Sequence, residues 1–131
     1  MLYPGEGKVK KMKTQKSGKQ RALPRRADQV RAAYLDTLIA EAVVDCFNES
    51  EQITGLFTML EENLTLPFAT TVLGGEVIVE RVDRNDAAEI VAVCRRGRKR
   101  QEIPIVDLPL PEPKPKGAEW IEAFRRWAGG R

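Results

Sequence analysis

Between residues 27 and 45 the apolar side chains Val30, Tyr34, Leu35, Leu38, Ile39, Ala42 and Val43 recur at helical steps, while Arg31, Asp36 and Glu41 fall on other faces. That spacing predicts a helix with one buried stripe. A second pattern of the same period, Ile53, Leu56, Phe57, Leu60 and Leu64, follows a turn over residues 46–50. Asn48 is placed to cap this helix, and Glu51 completes a capping-box-like pair by reaching back to the exposed amides. A connection this short predicts that the two helices pack as a hairpin or a corner. Pro67 stops the second helix and drives its predecessor toward extended backbone.

After Pro67 the period changes to that of strands. Residues 69–73, 76–82, 87–94 and 101–108 read as four strands, with Val77 and Val79 on one face of the second and Ile78 and Glu80 on the other. Turn signals separate them at Gly74-Gly75, at Asp83-Arg84-Asn85-Asp86 and around Gly97. Pro104 suits an edge strand, because it cannot donate to a ladder. Short strands joined by tight turns predict a small antiparallel barrel. Residues 109–116, PLPEPKPK, form a stiff extended linker. Trp120, Ile121, Phe124 and Trp127 then make the stripe of a final helix ended by Gly129-Gly130, and their spacing is that of a buried face rather than a binding box. The expected fold class is α+β: two N-terminal helices, a small antiparallel β-barrel and a C-terminal helix.

Composition divides this plan in two. Residues 1–26 are rich in Lys, Gly, Gln and Ser with little apolar periodicity, and are expected to form a disordered basic arm ahead of a single domain over residues 27–131. The formal charge of +3 hides the split. Residues 1–31 hold ten Lys and Arg against two acids, a net of +8, whereas residues 32–94 hold twelve acids against only Arg81 and Arg84, a net of −10. A compact region of that charge repels itself unless cations or a basic surface screen it. No apolar run is long enough to span a bilayer and the N-terminus lacks the apolar stretch of a secretory signal, so a cytoplasmic location is expected. Cys46 and Cys94 sit in apolar settings and read as ordinary thiols, not as a disulfide framework or a zinc site.

Catalysis finds little support in the residues. The chain has no His to act as a base near neutral pH and none of the phosphate-loop, nucleophile-elbow or metalloprotease motifs, so an enzyme is not expected. Oxygen donors are abundant instead, which suits a hard ion such as Ca²⁺ that takes six to eight oxygens. No EF-hand loop is present, and any site must be assembled from separate segments. Two acidic groups are candidates for metal: Asp83, Asn85, Asp86 and Glu89 at a hairpin turn, and Glu61 and Glu62 at the end of the second helix, with Asp45, Glu49 and Glu51 at the helix junction. Arg95, Arg96, Arg98, Lys99 and Arg100 form a basic turn, which together with the N-terminal arm is the alternative candidate, a contact for nucleic acid or an acidic protein partner.

The run Leu60-Glu61-Glu62-Asn63-Leu64-Thr65-Leu66-Pro67-Phe68 resembles the signature of the CcbP-like calcium-binding family, first recognised in cyanobacteria. The likeness continues through Gly75-Glu76-Val77-Ile78-Val79, through Gly97-Arg98-Lys99 leading to Ile103-Pro104-Ile105-Val106-Asp107-Leu108, and into Glu119-Trp120-Ile121-Glu122-Ala123-Phe124-Arg125-Arg126-Trp127. It covers roughly residues 40–128. The resemblance implies a small SH3-like barrel with helices at its ends and a non-enzymatic role in binding Ca²⁺, as a buffer or a sensor. Leu56, Phe57 and Thr58 stand where members of the family often carry a run rich in Trp and Tyr.

Overall fold

The computed structural model describes residues 25–130. The basic arm expected over residues 1–26 lies almost entirely outside them. Helix α1 spans Arg26–Ala42 and buries Leu35, Leu38 and Ala42, whereas Val30 and Tyr34, nearer its start, are exposed. The expected stripe is therefore only the second half of the helix. Helix α2 spans Glu49–Asn63, and its start follows the predicted chemistry: Asn48 Oδ1 accepts from the Glu51 amide at 2.8 Å, and Glu51 Oε1 accepts from the Phe47 amide at 2.7 Å. The reciprocal bond reaches one residue further out than a capping box, satisfying a donor that would otherwise face the helix end alone.

Four antiparallel strands follow in consecutive order: β1 (Phe68–Val72), β2 (Gly75–Arg84), β3 (Ile90–Arg96) and β4 (Lys99–Pro104). β1 and β4 are the two edges, so among the described residues the sheet is open rather than closed. The first turn is Leu73-Gly74, not Gly74-Gly75: Val72 pairs with Gly75, and both loop residues have positive φ. That is the backbone of a two-residue hairpin loop whose twist matches the strands. β2 runs on through Asp83 and Arg84, where the sequence predicts a turn, because the chain reverses only at residues 85–89. A bulge lies between Val79 and Arg81, where Glu80 is the extra residue. It shifts the inward parity from Val77 and Val79 to Val82 and Arg84.

β4 ends at Pro104, and residues 105–107 form a short 3-10 helix instead of further strand. The linker then runs back past β1, where Thr70 Oγ1 donates to the Pro109 carbonyl at 2.7 Å and the Thr65 amide donates to that of Lys116 at 2.9 Å. Helix α3 (Glu119–Gly129) buries Trp120, Ile121, Ala123 and Phe124 in a core shared with Leu56 and Leu60 of α2 and with Val79, Ile90 and Ala92 of the sheet. Gly130 closes α3, donating to the Arg126 carbonyl at 3.1 Å without entering the left-handed region. No helix among the described residues is long and apolar enough to cross a membrane.

Two glycines set how closely these pieces approach. At Gly55 a Cβ would run into the Ala42 carbonyl at the end of α1, and at Gly117, whose φ is +90°, it would run into the backbone of Asn63 and Leu64. The obstacle is main chain in both places, so neither can be relieved by a rotamer change. Gly55→Ala and Gly117→Ala should each lower the unfolding free energy by at least about 2 kcal/mol in urea denaturation. Gly129→Ala, where nothing lies within 4 Å of the added carbon, should stay within about 0.5 kcal/mol of the parent.

Candidate functional site

The acidic turn between β2 and β3 is built around Asn85. Its amide donates to the Glu89 carbonyl at 3.1 Å, its carbonyl accepts from Ala88 at 2.9 Å, and its Oδ1 accepts from the amides of Ala87 at 2.9 Å and Glu89 at 3.0 Å. Asn85 Nδ2 donates to Glu89 Oε1 at 2.9 Å. A short polar side chain thus stands in for backbone partners and holds the turn closed. Ala88 takes positive φ, 63°, to complete it. Asn85 is consequently a structural residue of the turn, with both polar ends of its side chain engaged.

The carboxylates around it are placed unevenly. Asp86 is exposed, and Glu89 keeps one carboxylate oxygen outside the bond to Asn85. Asp83 lies within β2 and is already engaged: its Oδ1 accepts from the Arg84 amide at 2.8 Å and its Oδ2 is 3.9 Å from Arg81 Nε. Arg84 lies on the inward side, with Nη1 donating to Thr54 Oγ1 at 2.9 Å and Nη2 3.5 Å from the Ala88 carbonyl, while its buried Nε has no partner. It ties the turn to α2.

The second acidic group does not assemble. Glu61 and Glu62 occupy the last turn of α2, whereas Glu49 and Glu51 are in its first turn and Asp45 precedes it. At 1.5 Å of rise per residue the two ends are about 15 Å apart, too far to share an ion. Glu61 and Glu62 remain exposed neighbours on the helix surface. Among the described residues no three Asp, Glu, His or Cys side chains come together as a metal cage. The fit to Ca²⁺ is therefore one of chemistry more than of number: oxygen donors are exposed at the β2–β3 turn, but a cation there would draw on carbonyls and water as well as carboxylates.

The five basic residues of the β3–β4 hairpin divide between two faces. Arg95 and Arg100 pair across the strands on the outer face, and both guanidinium groups bond to Glu80, each through Nε at 2.8 Å. Arg96 and Lys99 are the next cross-strand pair and project to the inner face, with Arg98 in the loop beside Gly97. The five cations of the hairpin therefore do not share one face, and the N-terminal arm lies almost entirely outside the described residues. Glu80 was not singled out by the sequence; its role comes from the bulge, which periodicity does not reveal. Of the two thiols, Cys94 is buried, and burial raises its pKa above the ordinary range.

Two separate sets of ion pairs tie β2 to the β3–β4 hairpin and α1 to α3. Hydrogen bonds from Arg100 and Arg95 hold the Glu80 carboxyl below its ordinary value of 4.5, and the bidentate pair from Arg126, at 2.7 and 3.1 Å, holds Asp36 below 3.8. Because both folded-state values are depressed, the stability they contribute is present above the unfolded-state values and is lost as pH falls through the folded-state ones. The urea midpoint should therefore decline as pH drops below about 4.5, the ordinary Glu value. Glu80→Gln combined with Asp36→Asn should flatten that decline; an unchanged acid limb would show that the pairs carry no linkage.

No curated protein and no solved structure matches the chain. A family model described as calcium binding, that of the CcbP family, matches residues 36–128, which takes in α2, the whole sheet and nearly all of α3. The chain therefore belongs to the CcbP calcium-binding family, and its cofactor is Ca²⁺.

Proposed function

We propose that the protein is a non-enzymatic, cytoplasmic calcium buffer that holds Ca²⁺ at the β2–β3 turn. Asp86 and Glu89 supply the principal carboxylates, Asp83 contributes after releasing Arg81, and main-chain carbonyls and water complete the oxygen shell. The observation that carries this reading is the closed, Asn85-centred turn, which presents Asp86 and one oxygen of Glu89 to solvent with its backbone already ordered. A binding loop fixed in advance loses little conformational freedom when the ion arrives. It also has little rearrangement to transmit, which favours a buffer over a sensor.

The SH3-like barrel belongs to the same proposal. Four consecutive antiparallel strands, a bulge at Glu80, a 3-10 helix after β4 and a linker hydrogen-bonded to Thr70 are parts such a barrel uses. The linker would then occupy the place beside β1 where the barrel closes.

Titration calorimetry of the full chain with Ca²⁺ and, separately, Mg²⁺ tests the function. The expected result is binding selective for Ca²⁺, weakened at least about tenfold in Asp86→Asn/Glu89→Gln, a loss of roughly 1.4 kcal/mol. At a tenfold excess of Ca²⁺ over Kd the native state should gain about 1.4 kcal/mol and melt several degrees higher. Unchanged affinity in that variant, with loss in Glu61→Gln/Glu62→Gln, would move the site to α2. No heat and no shift in melting temperature at millimolar Ca²⁺ would end the calcium reading for this chain.

A further inference from the structure

At the end of the sheet opposite the acidic turn, the inner face opens into a cavity of about 530 Å³. Val72, Val77, Cys94 and Ile103 line it together with Arg96 and Lys99, and Arg100 of the outer pair also reaches its rim. The inward parity of β3 runs Ile90, Ala92, Cys94 and then Arg96, so the core pattern ends in a cation where a fourth apolar residue would continue it. Its cross-strand neighbour on the same face is Lys99. Gly75 makes room for this arrangement: a Cβ there would collide with the Arg96 guanidinium. No carboxylate lines the cavity, and neither Arg96 nor Lys99 has an ion-pair partner among the described residues.

The contrast with the other face of the same hairpin is informative. Arg95 and Arg100 share the single carboxylate of Glu80, which offsets one of their two charges. The inner pair has no such partner, although the region that contains most of the sheet is strongly acidic. Cations over an apolar surface, next to Leu73, whose side chain is fully exposed, and beside β4, an edge strand with no partner on its far side among the described residues, describe a groove with three kinds of contact to offer. Its size falls in the range of pockets that bury a side chain or small ligand.

We propose that this end of the sheet docks an acidic, extended peptide segment of a partner protein. The segment adds alongside β4 through main-chain hydrogen bonds, places one aliphatic side chain on the Val72–Val77–Cys94–Ile103 surface, and sets its flanking carboxylates against Arg96 and Lys99. Strand addition supplies affinity, and the pocket and charges supply specificity. A nucleic acid fits less well, because no aromatic side chain lines the groove to stack on a base. The proposal does not depend on Ca²⁺.

Fluorescence anisotropy of a labelled peptide of alternating Glu and Val, titrated with the full chain at low salt and with chelator present, tests it. The acidic peptide should bind and should weaken as salt screens the pairs, whereas a peptide with Lys in place of Glu should not bind. Arg96→Glu/Lys99→Glu should weaken binding at least about tenfold, and the milder Arg96→Gln/Lys99→Gln, checked for an unchanged melting curve, should weaken it in the same direction. Replacing the central Val of the peptide by Pro, which removes a backbone donor, should also weaken it. No anisotropy change up to about millimolar protein would overturn the proposal. So would equal binding by the charge-reversed variant, or displacement of the peptide by an oligonucleotide that depends on the same two residues.

Discussion

The fold depends on the burial of one face of α3. Trp120, Ile121, Ala123 and Phe124 pack with α2 and the 3-10 helix and share one buried cluster with the inner face of the sheet. Each fully buried aliphatic or aromatic side chain contributes about 1.5–3 kcal/mol, and Val79, Ile90 and Ala92 of the sheet join the same buried cluster. Polar bonds then fix the orientation. Arg125 donates to the Ile105 and Leu108 carbonyls at the 3-10 helix, Arg126 pairs with Asp36 of α1, and Trp127 Nε1 donates to Gln52 of α2 at 2.9 Å. Burial lowers the Arg125 pKa, yet the two carbonyls and the nearby acids Glu122 and Asp107 compensate its charge. One eleven-residue helix is thereby tied to three other elements.

With that face covered, function is left to the two ends of the sheet and to its surface. The bulge at Glu80 decides how charge is distributed there. By shifting parity it sends Arg81 and Asp83 outward and Arg84 inward, and it brings Glu80 under both Arg95 and Arg100. Acidic groups concentrate at the β2–β3 turn, and unneutralised cations at the opposite end beside the β3–β4 turn. The proposed calcium turn and the proposed peptide groove thus lie at opposite ends of one sheet, and neither requires the other to act.

Much of the scaffold was legible in the sequence. The Asn48–Glu51 cap, the α3 stripe, four strands in order and the edge position of Pro104 all follow from local pattern, because each depends on contacts within one element or between neighbours. The residues 60–68 run also carried the family, which the match over residues 36–128 bears out. What pattern could not give was parity and partnership. A bulge does not alter the hydrophobic period before or after it, only its phase, so the pattern does not give Glu80 its two arginine partners or turn Arg84 inward. Asn85 looked like a ligand because its oxygen is a good donor to calcium; the turn uses that oxygen for two amides instead. The length of α2 sets Glu61 and Glu62 apart from Glu49 and Glu51, a separation that nearness in sequence does not convey.

The central claim, that Ca²⁺ is held at the β2–β3 turn of a scaffold that stays put, is tested most directly by following the backbone amides of the full chain by heteronuclear NMR during a Ca²⁺ titration. The account predicts shifts confined to residues 83–90, with the amides of α2, α3 and the β3–β4 hairpin unmoved. Shifts centred on Glu61 and Glu62, or spread through the helices as a rearrangement, would contradict it.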